Sequence, residues 1–143
     1  MMIKSVVAIV LAISALFCAP ASARQPESVA VAKAKASAIQ WLALVDTGKY
    51  VESWQQAAGY FQSSISETSW QRAVGNVRKP LGKVNSRTLM SADFTHTLPG
   101  APDGNYVVIQ FATRFEHKAS AIETLTPLQE KDGSWKVSGY YVK

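Results

Sequence analysis

The side chains able to do chemistry in this chain are few, and their spacing is unhelpful. His96 and His117 are the only histidines. Asp93 stands three residues before His96, a spacing that puts the two on opposite faces of a regular strand. Neither histidine has a ligand partner at helical or alternate-strand spacing, so the expectation is no metal site and no histidine acid–base pair. Serines are plentiful, but none lies in a nucleophile-elbow pattern. The Gly100–Gly104 run has a proline inside it, another before it and no helix after it, which makes it a turn rather than a phosphate loop.

Glu123 and Arg114 form the most informative pair. In a tight hairpin about Glu116 to Ala119, Glu123 lies across from Ala112–Arg114, within reach of a cross-strand ion pair. One reading is a buried carboxylate acting as acid or base, with Arg114 as cation and Tyr140 as phenol. The other is an exposed bridge on the open face of a sheet, worth less than about 1 kcal/mol. The second is the expectation. It depends on register, because a one-residue slip moves every side chain to the other face, and His117-Lys118 has no Asn-Gly or Gly-Gly to pin the turn. The four tryptophans (Trp41, Trp54, Trp70, Trp135) each fall on the apolar stripe of their own element, as core residues do. Trp54, near Tyr50 and Tyr60, is the best pocket-lining candidate. The candidate ligand-binding set is Trp54, Tyr60, Phe61, Thr113 and Thr124; Arg114, Glu123 and Tyr140 are surface or interface candidates. The set of assigned catalytic residues, metal ligands and cofactors is empty.

These groups must be positioned by elements that change character halfway along the chain. From Ser28 the apolar spacing is helical, with Val29, Ala32, Ala36, Ile39 and Leu42-Ala43 as the stripe, Ser28 as N-cap and Gly48 as terminator. A second helix runs from about Tyr50 to Ala58, and Tyr60-Phe61 is an aromatic connector. A third is capped by Ser66, carries Trp70, Ala73-Val74 and Val77 on its stripe, and ends at Pro80 and Gly82. Four strands follow: Val84–Thr95, Asn105–Glu116, Ile122–Gln129 and Trp135–Val142, with Lys131-Asp132-Gly133 a hairpin signal. Helices followed by strands predict an α+β fold, three N-terminal helices on one face of a curved four-stranded antiparallel meander. Apolarity alone assigns the inner face to Val107, Ile109, Phe111, Thr113 and Phe115, to Ile122, Thr124, Thr126 and Leu128, and to Trp135, Val137, Gly139 and Tyr141.

The first 23 residues speak to location. Met1–Lys4 is a short charged start, Ser5–Pro20 is apolar almost throughout, and Ala21-Ser22-Ala23 is a small-residue cleavage site. The apolar run is short of the roughly 18–20 residues of a spanning helix. The expectation is a signal peptide over 1–23, cut after Ala23, and a single domain over 24–143 without a membrane span, in the periplasm or secreted. Cys18, the only cysteine, goes with the signal; Phe17 before it is not the small residue that lipid attachment needs. The mature chain then has no disulfide and no cysteine nucleophile. Its modest positive charge concentrates only at Arg78, Lys79, Lys83 and Arg87, read as a solvated loop. No aromatic interleaves these cations, which argues against nucleic acid.

Several runs together resemble a known family. They are AIQWLALVDTGKY with Trp54 (Ala38–Trp54), Ser66 with Trp70, Arg72 with GNVRKPLG to Gly82, LPGAPDGNYVVIQ (Leu98–Gln110), Ala121 with Glu123-Thr124, and DGSWKVSGYYV (Asp132–Val142). The chain from about Ala30 to Lys143 resembles the exported bacterial domain-of-unknown-function family 4019. That family implies no activity to carry over. The order of elements also resembles the NTF2-like and cystatin-like folds, an analogy of architecture alone. The expected function is a non-enzymatic binding or interaction module for an envelope partner or a small apolar ligand. The alternatives are a cone-type isomerase or hydrolase using Glu123, Arg114 and Tyr140, and a self-associating domain, a homodimer through an outer sheet face of Val108, Leu125, Tyr140 and Val142.

Overall fold

Alanine-rich helical sequence starts the folded part of the chain. The structure, a computed structural model, describes residues 26–143; the expected signal segment and its cleavage site lie outside them. Helix α1 (Glu27–Asp46) buries Ala30, Ala34, Ala38, Trp41, Leu42 and Val45. This stripe is rotated from the expected one, and Ile39 is 54% exposed. Alanine occurs on both faces of the first half and gives little direction, so the large Trp41, Leu42 and Val45 decide which side faces inward. By length and composition α1 could cross a membrane, but its buried stripe packs on the sheet. Pro26, not Ser28, occupies the N-cap. Gly48, at φ 75°, supplies the left-handed step after the helix.

Helices α2 (Tyr50–Gln55), α3 (Gly59–Ser64) and α4 (Glu67–Leu81) follow. The expected aromatic connector is therefore a helix of its own, and the helix count is four rather than three. Its N-cap residue, Ala58, ties it to the sheet, N–H donating to Val137 O at 2.8 Å. The Ser63 and Ser64 hydroxyls donate back to Tyr60 O. In α4, Ser66 caps as expected, its Oγ accepting from Ser69 N–H at 3.2 Å. Its buried line is Trp70, Val74 and Arg78, an i, i+4, i+8 row. Val77, expected in that stripe, is 46% exposed on the helix shoulder.

The strands β1 (Val84–Thr95), β2 (Tyr106–Phe115), β3 (Lys118–Gln129) and β4 (Trp135–Val142) form the expected antiparallel meander in chain order. The register does not follow the apolarity-based faces. β2 and β3 pair Ile109 with Leu125, Phe111 with Glu123 and Thr113 with Ala121. Partners share a face, so Ala121, Glu123, Leu125 and Pro127 accompany the odd set of β2 inward, and Ile122, Thr124, Thr126 and Leu128 take the other side. An irregularity between Leu125 and Pro127 shifts β4 by one. Trp135 and Val137 face in before it, and Tyr140, partner of Leu125, faces in after it, leaving Tyr141 51% exposed. A second bulge in β1, between Leu89 and Ser91, lets Arg87 and later Ala92 share the inner side. The core of Trp41, Leu42, Val45, Trp70, Ile109, Phe111, Leu125 and Trp135 fills the space between the layers.

Candidate functional site

The inward turn of Glu123 places a carboxylate where no solvent reaches it, with 0% exposure. A buried charge must be paired and hydrogen-bonded, and Glu123 is both. Its Oε1 accepts from Arg87 Nε at 2.7 Å and from Thr113 Oγ1 at 2.6 Å. Its Oε2 accepts from Tyr140 OH at 2.5 Å and from Arg87 Nη2 at 3.2 Å. Arg87 reaches onward to the last residue of α1: Nη1 donates to Asp46 Oδ2 at 2.8 Å and Nη2 to Asp46 Oδ1 at 3.0 Å. Arg78 closes the cluster, with Nη2 donating to Asp46 Oδ1 at 2.7 Å and Nη1 to Tyr140 OH at 3.3 Å. The Arg78 guanidinium lies 5.0 Å above the Phe115 ring. Its Nε is buried without a partner.

Each side chain comes from a different element: Asp46 from α1, Arg78 from α4, Arg87 from β1, Thr113 from β2, Glu123 from β3 and Tyr140 from β4. Two carboxylates and two guanidinia balance in charge. Burial alone would raise the Asp46 carboxyl, but the hydrogen bonds and positive charge of Arg87 and Arg78 hold it below its ordinary value. Burial works against the Arg87 charge, and Asp46 and Glu123 outweigh it, so its pKa is raised. Burial, then the neighbouring Glu123 charge, push the Tyr140 phenol well up, against the opposing pull of Arg78. Tyr140 is therefore a phenol at neutral pH, already donating to Glu123. The carboxylate of Glu123 meets four donors, as many as its lone pairs accommodate. The Glu123 carboxylate thus has no lone pair left for a substrate proton, and the Tyr140 proton is committed to it.

The sequence-based candidates are dispersed. Arg114 is exposed on the outer face, and Glu123 pairs with Arg87 instead, because the register puts residues 114 and 123 on opposite sides of the sheet. Leu125, Tyr140 and Val142, assigned to an outer interface with Val108, take the inner parity through the β3–β4 pairing. Of the ligand-binding set, Thr113 belongs to the charge cluster, while Thr124 Oγ1 accepts from Gln110 on the outer face. Trp54 Nε1 donates to Ile65 O, Tyr60 OH to Gly100 O, and Phe61 stands edge-on to Trp70 at 4.9 Å. These five do not converge. The basic run divides: Arg78 and Arg87 go into the interior, while Lys79 and Lys83 stay exposed beside a groove of about 260 Å³ that also meets Asp46.

Sequence alone gives Asp46 no role and places Arg78 and Arg87 in a solvated loop, whereas the structure pairs all three; two of them carry a detectable signal. An acidic residue in the last turn of a helix opposes the helix dipole, so Asp46 calls for a cation. Arg78, at i+4 from Val74, interrupts an apolar row.

The sequence profile of the family described as "Protein of unknown function (DUF4019)" matches residues 37–140. The chain belongs to this family. The DUF4019 match extends from Ser37 on α1 to Tyr140 on β4 and so takes in all six members of the charge cluster. No curated protein matches the chain. Among solved structures, a 2.5 Å structure from Catenulispora acidiphila is similar, with a TM-score of 0.54 and 11% identity, over 82% of this chain and 92% of that one. At that identity the likeness concerns the fold alone.

Proposed function

We propose that this DUF4019 protein is an exported, non-enzymatic binding domain that takes an extended apolar segment of an envelope partner. Export rests on residues 1–23, read as a signal peptide cut after Ala23, with the domain working in the periplasm or outside the cell. The non-enzymatic part rests on the charge cluster, whose carboxylate and phenol are fully engaged with each other and with arginines.

One observation carries the binding role: an apolar groove of about 170 Å³ runs between α4 and β4, lined by Trp70, Val74, Val77, Tyr141 and Val142. Val77 and Tyr141 are both about half exposed there. β4 is an edge of the sheet. Lys143 and Ile122 exchange both backbone hydrogen bonds at 3.0 Å, so by antiparallel alternation Val142 turns its N–H and C=O to the open edge. Ala58 and Ser37 cover the β4 edge at Val137 and Trp135, which leaves its C-terminal end beside α4 open, the setting in which a peptide adds as a further short strand.

The test is titration of isotopically labelled protein with extended hexapeptides rich in Val and Leu, and separately with decanoate. Shifts at Val77, Tyr141 and Val142 on peptide addition, lost in Val77→Asp, support the reading. Response to decanoate alone makes the occupant a small apolar ligand. Dimer formation in sedimentation, with no response to either probe, makes it a second copy. Substrate turnover abolished by one substitution in the charge cluster overturns the non-enzymatic reading.

A further inference from the structure

A second recess lies at the other end of the helix–sheet interface, between α1, the C-terminal end of α2 and the start of β4. It measures about 260 Å³ and is lined by Ser37, Gln40, Gln55, Gln56 and Lys136 around Trp41 and Trp135. It shares no residue with the charge cluster or the apolar groove. Its walls carry three carboxamides, one ammonium and no carboxylate.

One wall residue has an unmet hydrogen bond. Three of the four tryptophans satisfy their indole N–H: Trp41 on Ser53 O at 2.8 Å, Trp54 on Ile65 O at 2.8 Å and Trp70 on Ser53 Oγ at 2.9 Å. Trp135 is 7% exposed and its Nε1 is buried without an acceptor. Buried donors are nearly always paired, so an orphan asks for an explanation, and a bound acceptor would supply one. The backbone beside it is already committed, since Ser37 Oγ donates to Trp135 O.

We propose that this recess binds an N-acetylated sugar. An indole N–H only donates, so it calls for an acceptor such as an acetamido carbonyl. Trp41 and Trp135, 3% and 7% exposed, give the recess an apolar floor that an acetyl methyl would meet. Gln40, Gln55 and Gln56 each offer a donor and an acceptor, the complement of sugar hydroxyls, which also do both. These three glutamines are exposed, so their amides can reorient around a bound sugar. The lack of a carboxylate and the presence of Lys136 admit uronic or lactyl-bearing sugars and disfavour cationic ones.

The experiment follows the four indole N–H resonances of the purified protein during titration with N-acetylglucosamine, its disaccharide and glucose. Trp135→Phe identifies the Trp135 signal. The expected result is a selective shift of that signal with the N-acetylated sugars, tighter binding of the disaccharide, and at least a tenfold weaker response to glucose. Gln40→Ala with Gln56→Ala, at exposed positions that leave the fold intact, should weaken the N-acetylglucosamine response about tenfold. The proposal is overturned if the Trp135 signal stays fixed at tens of millimolar sugar, if glucose shifts it equally, or if the glutamine variant binds unchanged. Failure here leaves the α4–β4 groove reading untouched, because Val77→Asp probes a different surface.

Discussion

Glu123→Gln is the substitution that most directly measures the charge cluster. The amide is nearly isosteric but offers one acceptor oxygen where the carboxylate offers two. If that oxygen stays with Arg87 Nε and Thr113 Oγ1, the new NH₂ faces Arg87 Nη2 and Tyr140 OH, which donated to the oxygen it replaces. Tyr140 can turn a lone pair toward the amide, and Arg87 keeps two bonds to Asp46 at 2.8 and 3.0 Å. Removing one partner of a buried pair costs about 3–5 kcal/mol, and the surviving Asp46 contacts favour the lower end, about 3 kcal/mol. For a domain of this size that loss lowers the melting temperature by about 10 °C. Urea unfolding followed by far-UV circular dichroism reads the free energy, and an unchanged m-value shows that the same surface unfolds. Arg114→Ala, at an exposed position away from the cluster, is the matched control and should stay within about 0.5 kcal/mol of the parent. A Glu123→Gln loss below about 1 kcal/mol, or an equal loss in Arg114→Ala, would refute the assignment of Arg87 as the partner of Glu123.

Three further outcomes follow from the same geometry. The Asp46 carboxyl is depressed in the fold, so its contribution is present above the unfolded value of about 4 and is lost as pH falls through the lower folded value; acid unfolding of Asp46→Asn should lose that part of the pH dependence. The Tyr140 phenol is raised, so its contribution is complete below the unfolded value of about 10 and fades as pH climbs toward the folded one; the Tyr106 phenol is raised too, so spectrophotometric titration near 295 nm should show a late tyrosine component that shrinks by one group in Tyr140→Phe. Gly82 sits at φ 72° and ψ −156° after α4, backbone that is essentially glycine's alone, and a Cβ there would lie 2.8 Å from Glu116 Oε2 and 2.9 Å from His117 Cδ2; Gly82→Ala should cost about 1–3 kcal/mol in chemical denaturation from the backbone alone, and a neutral result would show that this turn relaxes.

The elements that were legible in the sequence are those whose signal is local. The Ser66 cap, the left-handed glycines after α1 and α4, the meander order and the turn at Gly133 each depend on a few neighbouring residues, and all are present. The inner face was not legible, because it depends on pairing. Counted by apolarity, the even residues of β3 look buried: Ile122 and Leu128 are large and Glu123 is charged. Pairing Phe111 with Glu123 reverses that choice, and the bulges opposite Leu125–Pro127 and at Leu89–Ser91 break parity within single strands. No alternation rule survives a bulge whose position the sequence does not mark. The cluster was illegible for a related reason: Arg78 and Asp46 are 32 residues apart, Glu123 and Arg87 36, and Arg87 and Asp46 41.

The same charges explain how a sheet with several irregularities keeps one register. The turn between β2 and β3 has no Asn-Gly or Gly-Gly, and the pairing shifts register twice between β1 and β2, once between β2 and β3 and once between β3 and β4. A slip of one residue in β3 would carry Glu123 to the outer face and leave Arg87, half-buried, with Asp46 alone. A slip in β4 would remove Tyr140 from both Glu123 and Arg78. An apolar residue displaced by one position finds another apolar neighbour at modest cost, whereas a guanidinium or carboxylate stripped of its partner inside the fold costs several kcal/mol. The charge cluster thus penalises alternatives that the hydrophobic pattern of β3, with apolar residues on both parities, does not distinguish. The energetic role that follows for Asp46, Arg78, Arg87, Thr113, Glu123 and Tyr140 is to select one arrangement of six elements, and this holds whichever ligand occupies the grooves outside it.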